Sequence, residues 1–274
     1  MNFERYQCQQ FLESEIGCSD YKILRNYKEL FAEYKLTLSS ATTFKLKAKA
    51  DAKDLYYKAL MTFLEATHGM KVGQSSWPIV KLYYSLFYSL RVFLYSSDYV
   101  ILKNGTREVY GLKLLTGEGP IKINASGISG DHKTTIKYFV DVFSHTEKIN
   151  TNAIDGIHVF NWIMDYRELV NYRINSFIEP EFGYEVLPDI FKSNLTYDEF
   201  VGRYLDEPNI AYCFLKDHSI YATPMLFIKK AKDKLLSISN GENILGSERT
   251  EAALSIMNLM GLEDASVLRE LLFL

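Results

Sequence analysis

Several polar side chains near the end of one predicted helix have the chemistry to bind phosphate. Arg167 and Arg173 supply guanidinium groups and Asn171 supplies an amide. The planar fork of arginine matches two phosphate oxygens at once, and an asparagine amide can hydrogen-bond a phosphate or a base. Lys133, on an earlier predicted helix, adds another cation. We therefore expect Asn171, Arg173 and Lys133 to bind a phosphate-containing substrate.

A phosphodiester with a neighbouring hydroxyl group, as in RNA, can be cleaved without a metal when the 2′-OH attacks the adjacent phosphate. That reaction needs a proton acceptor, a proton donor and a cation for the developing charge. Arg167 is the candidate cation, and His132 is the candidate for proton transfer. Tyr172 is a third candidate, although a phenol with a pKa near ~10 is a poor base at neutral pH. At about 100° per α-helical residue, Arg167 shares a face with Asn171, whereas Tyr172 lies about 140° away.

These charged residues also have a structural interpretation. Arg167 could pair with neighbours of Asp165, with Glu168 of another subunit or with Asp131 instead of binding a substrate. Arg91 lies inside a very apolar predicted helix, where an unpaired charge is costly. It therefore needs a carboxylate partner such as Asp165 or Asp141, or else a place in a cleft. Pairing is the interpretation that we favour for Arg91.

Composition limits the possible classes of function. The formal net charge of the 274 residues is -3, so any attraction to nucleic acid must come from a local basic patch. The three cysteines and five histidines show no metal-ligand spacing, and we expect no metal or other cofactor. No stretch of about 18 uncharged apolar residues predicts a membrane span. The N-terminus lacks the pattern of a signal peptide, so we expect a cytoplasmic protein.

Helical periodicity predicts the scaffold that positions these residues. The stretch 77–95 follows a helix-start signal, Ser75-Ser76 and then Trp77-Pro78, and carries apolar residues three and four positions apart. Asp131 is expected to open a helix as its N-cap or first-turn residue. The predicted helices cover 45–69, 77–95, 131–145, 155–178, 197–205, 225–237 and 248–273, and the Ser/Thr-rich stretch 37–43 is predicted to be a connection.

Short strands are predicted between the helices. Residues 99–103 and 106–114 flank Asn104-Gly105, a pair that accepts the positive φ angles of a tight hairpin turn. Residues 120–124 could add a third strand, and 210–226 could form a second hairpin. We predict a mainly α helical bundle with one or two small β-hairpin insertions. Residues 1–180 would form the bundle with its N-terminal helices, and 181–274 a C-terminal helical extension packed on it as part of one domain.

The order of the predicted helices resembles the core of HEPN-type domains over roughly residues 74–177. The aromatic helix WPIVKLYYSLFYSLRVFL is similar to a family helix that typically reads YYAxFHAARALL. It is followed by a loop ending in Gly-Asp-His, the helix IKYFVDVF and a closing helix with YRELVNYR. The family's closing helix carries either the pattern RxxxxxY or an arginine followed by a histidine after four to six residues. The resemblance makes Arg167 the motif arginine, but the histidine position falls at Tyr172, Arg173 or Ile174.

The resemblance implies a HEPN-like helical bundle that dimerises and acts on RNA. Many family members are metal-independent ribonucleases, often toxins or effectors of antiviral defence, whose arginine and histidine line a cleft between two subunits. We therefore expect RNA as substrate, and a homodimer or a partner protein of a toxin or defence system. The alternative is a non-catalytic HEPN-like scaffold module that binds a protein or nucleotide, and the missing histidine favours it. A metal-dependent hydrolase is disfavoured by the absence of ligand spacing.

Overall fold

The protein is mainly α-helical, with small antiparallel strand pairs. The computed structural model describes residues 5–105, 108–123, 130–179, 184–188, 197–262 and 267–271. The α-helices are α1 Gln7–Glu15, α2 Lys28–Glu33, α3 Leu38–Lys71, α4 Ser76–Tyr95, α5 Asp131–Phe143, α6 Val159–Glu168, α7 Tyr197–Leu205, α8 Lys216–Ser237 and α9 Ser247–Leu259. The strands are β1 Tyr99–Asn104, β2 Glu108–Lys113, β3 Ile121–Lys122, β4 Ala153–Ile154 and β5 Ile157–His158. Within the described ranges, no helix is both long and apolar enough to span a bilayer.

The chain forms two compact units. The first unit comprises Met1–Leu55 and Leu90–Val142, and the second comprises Tyr56–Ser89 and Phe143–Leu274. The helices α3 and α4 therefore contribute residues to both units. The segment from 181 onward belongs to the second unit together with α6.

The sheet of the first unit confirms the predicted hairpin and third strand. β2 pairs antiparallel with both β1 and β3, and the ladder with β1 runs to Asn104↔Glu108. Asn104 is thus the last residue of a strand rather than part of a two-residue turn, and Gly105 supplies a positive φ of 71°. Tyr138 of α5 covers Gly111 of β2, where an added Cβ would lie 2.3 Å from the tyrosine ring. The absence of a side chain at Gly111 is what lets α5 approach the sheet.

The first unit contains a buried arginine, Arg91, that contacts several of its elements. Arg91 of α4 is 2% exposed, and its Nη1 lies 3.8 Å from Oδ2 of Asp131 at the start of α5. Its Nη2 donates to the Tyr95 hydroxyl at 2.9 Å, and its guanidinium lies 4.5 Å from the centre of the Tyr6 ring. Lys103 approaches the same Asp131 oxygen at 2.7 Å. Pairing of Arg91 is therefore confirmed, but the partner is Asp131 rather than Asp165 or Asp141.

The connection predicted at 37–43 is wrong, because these residues begin α3. The Thr37 hydroxyl oxygen accepts the N–H of Ser40 at 3.1 Å, and the Ser40 hydroxyl oxygen accepts the N–H of Thr37 at 2.9 Å. This reciprocal pattern is a capping box, which satisfies N–H groups that the first helical turn leaves unpaired. Hydroxyl residues that suggested a loop therefore mark the start of a helix.

The helix predicted at 155–178 is also wrong at both ends. Residues 153–158 form the β4–β5 hairpin, whose turn residues Asp155 and Gly156 have positive φ values of 52° and 77°. α6 begins at Val159 and ends at Glu168, where a π-helical turn, Leu169–Arg173, replaces α geometry.

The hairpin predicted within 210–226 is replaced by helices. A 3₁₀ turn, Ala211–Phe214, precedes α8, which continues through Pro224 to Ser237. Ile220, Phe227 and Ala231 are fully buried and recur at helical spacings. Burial of this face outweighs the weak helix propensity of the Ile, Tyr and Thr residues in the segment. The helix predicted at 248–273 is shorter as well, because α9 ends at Leu259 and a 3₁₀ turn covers Val267–Leu271.

Candidate nucleic-acid interface

Arg167, near the C-terminal end of α6, lies among three tyrosine rings. Its Nη2 donates to the Tyr84 hydroxyl at 2.8 Å. Its guanidinium carbon lies 5.4 Å from the centre of the Tyr84 ring, 5.7 Å from Tyr83 and 5.2 Å from Tyr172. Tyr83 and Tyr84 come from α4, whereas Tyr172 follows five residues after the arginine. The site therefore joins α4 to the end of α6 within the second unit.

The π turn explains why Tyr172 reaches Arg167. A π-helix closes its hydrogen bonds from i to i+5, so residues five apart come to the same face. The N–H of Ile174 accordingly donates to the Leu169 carbonyl at 3.2 Å. The α-helical prediction that Tyr172 lies about 140° from Arg167 is wrong for this turn.

The Arg167 guanidinium lies among tyrosine rings and is not paired with a carboxylate of a described residue. Among the described residues, no carboxylate oxygen lies within 4 Å of its nitrogens, and its Nε has no hydrogen-bond partner. Partial burial alone would lower the pKa of Arg167, but the hydrogen bond to Tyr84 and the neighbouring phenols raise it above its ordinary value. The guanidinium therefore stays charged, and an incoming phosphate oxygen can serve as its anionic partner.

Asn171 and Arg173 lie on the same π turn as Tyr172. Arg173 is exposed and forms an ion pair with Glu168, with 3.3 Å between Nη2 and Oε2. Exposed pairs of this kind contribute only about 0–1 kcal/mol, so a phosphate can replace the carboxylate at little cost. Asn171 is half-buried, and its amide makes no hydrogen bond to a described residue.

His132 and Lys133 belong to the first unit, whereas Arg167, Asn171, Tyr172 and Arg173 belong to the second. His132 is half-buried and Lys133 is exposed, both in the first turn of α5. The structure thus brings Tyr172 to Arg167 and assigns the predicted proton-transfer histidine to the other unit.

A histidine in the second unit, His158, lies immediately before α6. It precedes the first turn of α6, where its Nδ1 accepts the N–H of Phe160 at 3.3 Å. Burial lowers the pKa of His158, which favours the neutral ring. Nine residues of helix, at 1.5 Å each, place it about 13 Å along the axis from Arg167. His158 is a helix cap, not a partner of Arg167.

Aromatic residues extend the site along α4, where Trp77 is exposed and Tyr84 and Tyr88 are half-buried. Trp77, Lys81, Tyr84 and Tyr88 lie at positions i, i+4, i+7 and i+11 and share one face of the helix, and we call these four residues the α4 stripe. Trp77 is 46% exposed, although tryptophan is usually highly buried. This face could have been recognised in the sequence, because the spacing of the four residues places them on a different face of the helix from the buried residues.

The Glu179 carboxylate binds the N-terminal end of α4, where the stripe begins. Glu179 accepts the N–H groups of Ser75 at 3.3 Å and Ser76 at 3.0 Å, and the Ser76 hydroxyl at 2.6 Å. This arrangement satisfies N–H groups at the start of α4 and places a negative charge at the positive end of its dipole. It also holds the chain so that the Phe177 ring packs against Trp77, with 5.6 Å between ring centroids.

Cations accompany the aromatic rings. Lys58 of α3 lies 6.0 Å from the centre of the Tyr88 ring, and Lys81 forms an ion pair with Glu65 at 3.0 Å. Arg167 beside Tyr84 and Lys58 beside Tyr88 therefore supply positive charge near the C-terminal half of the stripe. Tyr172, 72% exposed, offers a further ring face.

Two kinds of site find no support in the described ranges. No group of three or more His, Cys, Asp or Glu residues there is placed to hold a metal ion. The buried thiols of Cys8, Cys18 and Cys213 all have a raised pKa, chiefly because of burial, which disfavours the reactive thiolate.

Comparisons of the chain with protein-family models, curated proteins and solved structures found no significant match.

Proposed function

We propose that this chain is a HEPN-like helical protein that binds single-stranded RNA along the α4 stripe, with Arg167 contacting a phosphate. The observation that carries the proposal is the position of Arg167, surrounded by three tyrosine rings and without a carboxylate partner among the described residues. A cation beside exposed aromatic faces suits a polymer that alternates phosphates with planar bases.

Exposed aromatic rings near Arg167 are suited to stacking with unpaired bases. Trp77 is 46% exposed and Tyr172 is 72% exposed, so both rings are available to stack on a base. Stacking of one base on an aromatic side chain contributes about 1–3 kcal/mol. The rise from Trp77 to Tyr88 is about 16 Å, so the stripe suits a short run of unpaired nucleotides. Bases in a duplex are already stacked and cannot use these rings.

The test measures binding of a fluorescent oligouridylate by anisotropy at several salt concentrations. Arg167→Ala should weaken binding about 10- to 100-fold, because hydrogen bonds to charged groups contribute about 1.5–3 kcal/mol. It should also reduce the slope of log K against log salt by about 0.7, the value for one phosphate contact on a single strand.

Matched variants separate the guanidinium from general damage to the surface. Arg167→Lys keeps the charge but loses the planar fork, so it should recover only part of the affinity. Arg249→Ala is the control, because Arg249 of α9 also lies over a tyrosine ring, 5.1 Å from the centre of Tyr57, but outside the stripe. Absence of saturable RNA binding by the folded wild type would refute the proposal. Binding by a protein partner that is insensitive to salt would favour the scaffold alternative.

A metal-independent endoribonuclease is the second candidate, favoured by the contact between Tyr172 and Arg167. Tyr172 occupies a position where the resemblance places the motif histidine, and its ring lies 5.2 Å from the guanidinium carbon. A phenol is a weak proton acceptor at neutral pH, whereas an imidazole is well suited. Cleavage in EDTA that increases in Tyr172→His and disappears in Arg167→Ala would support this candidate. No cleavage by any of the three folded proteins would restrict the proposal to binding.

A further inference from the structure

A cavity in the second unit lies beside α8 and away from the residues that the proposed function uses. It has a volume of about 430 Å³, within the range of about 300–1,000 Å³ that is typical of small-molecule sites. The end of α7, the loop that follows it, the 3₁₀ turn Ala211–Phe214 and the residues after α5 form the walls. Leu226, Lys229 and Lys230 of α8 line it together.

Three of the six charged side chains that line this cavity are held by an ion pair or by backbone N–H groups. Lys230 forms an ion pair with Glu147, with 2.7 Å between Nζ and Oε2, and that carboxylate is only 10% exposed. Glu207 accepts the N–H of Asn209 at 3.0 Å and also the N–H of Ala211. Both carboxylates are therefore occupied in shaping the walls.

Lys229 is different, because its partner carries no charge. Its Nζ donates to the Leu205 carbonyl at 3.3 Å, and no carboxylate among the described residues lies within 4 Å. The side chain is half-buried, so its ammonium is partly removed from water. Lys148 and Asp233 are exposed at the cavity and have opposite formal charges, which leaves Lys229 as the cation suited to an anionic ligand.

The remaining walls suit an apolar, ring-sized body. The rings of Tyr204 and Tyr212 have centroids 4.8 Å apart and are tilted by 53°. The hydroxyl of Tyr204 lies 2.7 Å from Nδ1 of His218, which fixes the orientation of the ring. Ala222 and Leu226 complete an apolar surface next to these rings.

The loop at this cavity is held in a strained conformation. Ile210 has a φ of 55° and a ψ of 27°, in the left-handed region that β-branched residues rarely occupy. The Glu207 carboxylate holds the loop by accepting N–H groups on both sides of Ile210. Strain of this kind persists only where the surroundings enforce it, and it is common around ligands.

We propose that this cavity binds a small molecule with one oxyanion group, a carboxylate or a phosphate monoester, on an apolar ring-sized body. Lys229 receives the oxyanion, and Tyr204, Tyr212 and Leu226 contact the body. Cys213 also lines the cavity, and burial raises the pKa of its thiol to about 12, so the site binds rather than reacts through this thiol.

The test is calorimetric titration of the full chain with phenylacetate and phenyl phosphate, and with acetate and inorganic phosphate as head groups alone. We expect saturable binding of at least one aryl probe, and the tighter of the two identifies the oxyanion. Lys229→Met should weaken that binding about 10-fold or more, because it removes the charge while keeping the apolar stem. Leu226→Trp should abolish it by filling the cavity.

Lys234→Met is the matched control, because this lysine lies on α8 but does not line the cavity, and it should leave binding unchanged. Thermal melts followed by circular dichroism establish that each variant is folded. Absence of saturable binding of both aryl probes to the folded wild type would overturn the proposal. So would unchanged binding in a folded Leu226→Trp variant, or head groups alone binding as tightly as the aryl probes.

Discussion

Asp131→Asn should destabilise the protein more than any nearby change in exposed charge. The substitution removes the carboxylate that pairs with Arg91, a residue that is 2% exposed. The Tyr95 hydroxyl and the Tyr6 ring remain next to the guanidinium, and the buried Asp51 carboxylate also interacts with it electrostatically. A buried cation that loses its nearest carboxylate retains much of the cost of its desolvation.

The expected magnitude follows from burial rather than from distance. Breaking a buried ion pair typically costs about 3–5 kcal/mol. The pair of Arg91 and Asp131 is long, at 3.8 Å, and the Asp131 side chain is 23% exposed, so we expect the lower end, about 3 kcal/mol. Lys103→Met removes a shorter contact to Asp131, 2.7 Å, from a side chain that is 42% exposed. Its cost should be about 1 kcal/mol or less.

Urea denaturation followed by circular dichroism provides the comparison. The double variant Arg91→Met with Asp131→Asn should cost less than the sum of the two single variants, because it removes both charges of the pair. If Asp131→Asn is no more destabilising than Lys103→Met, burial does not govern this cluster and the reasoning is refuted.

Three further predictions follow from the described contacts. Burial alone would raise the pKa of Asp131, but the neighbouring cations lower this pKa below its ordinary value. The stabilisation that the Asp131 carboxylate provides should therefore be complete above pH ~4 and disappear on further acidification. Denaturation at a series of pH values should show this loss of stability in wild type and not in Asp131→Asn. Glu179→Gln should lower the free energy of unfolding by about 1 kcal/mol, because the cap on α4 is weaker, and should alter the fluorescence of Trp77. An unchanged fluorescence spectrum together with unchanged stability would contradict the capping role. Gly111→Ala should cost about 1–3 kcal/mol because the new methyl group overlaps the Tyr138 ring, and an unchanged urea midpoint would contradict that overlap.

The elements that could be predicted from the sequence are those with local signals. α4 begins within one residue of its prediction because a serine, a proline and a long apolar period agree. The β1–β2 hairpin was predictable from Asn104-Gly105, although the register moved Asn104 into the strand. The mainly α class follows from such segments.

The elements that could not be predicted depend on contacts between distant residues. Thr37 and Ser40 are equally compatible with a loop and a capping box, and the start of α3 decides between them. α8 contains residue types favoured in strands, and its burial overrides them. The partner of Arg91 could not be predicted either, because choosing among carboxylates requires the fold.

The candidate site was predictable in part. Arg167 became a candidate through its residue type, which suits phosphate, and through the resemblance of its helix to the closing helix of HEPN-type domains. Its contact with Tyr172 was not predictable, because a π turn has no distinctive composition and reasoning from α geometry gives the opposite result. Trp77 and Phe177 were missed as site residues because an aromatic residue in an apolar helix is more often part of the core.

The π turn after α6 has a consequence for how such a site is recognised in other chains. In an α-helix, a ring on the same face as Arg167 would follow it by four residues, whereas here it follows by five. One inserted or deleted residue in this turn therefore changes the number of residues between the arginine and the tyrosine, and the contact between their side chains can still form. A search with a fixed interval would overlook chains that carry the same arginine and ring, so sequence comparisons for this site should allow an interval of variable length.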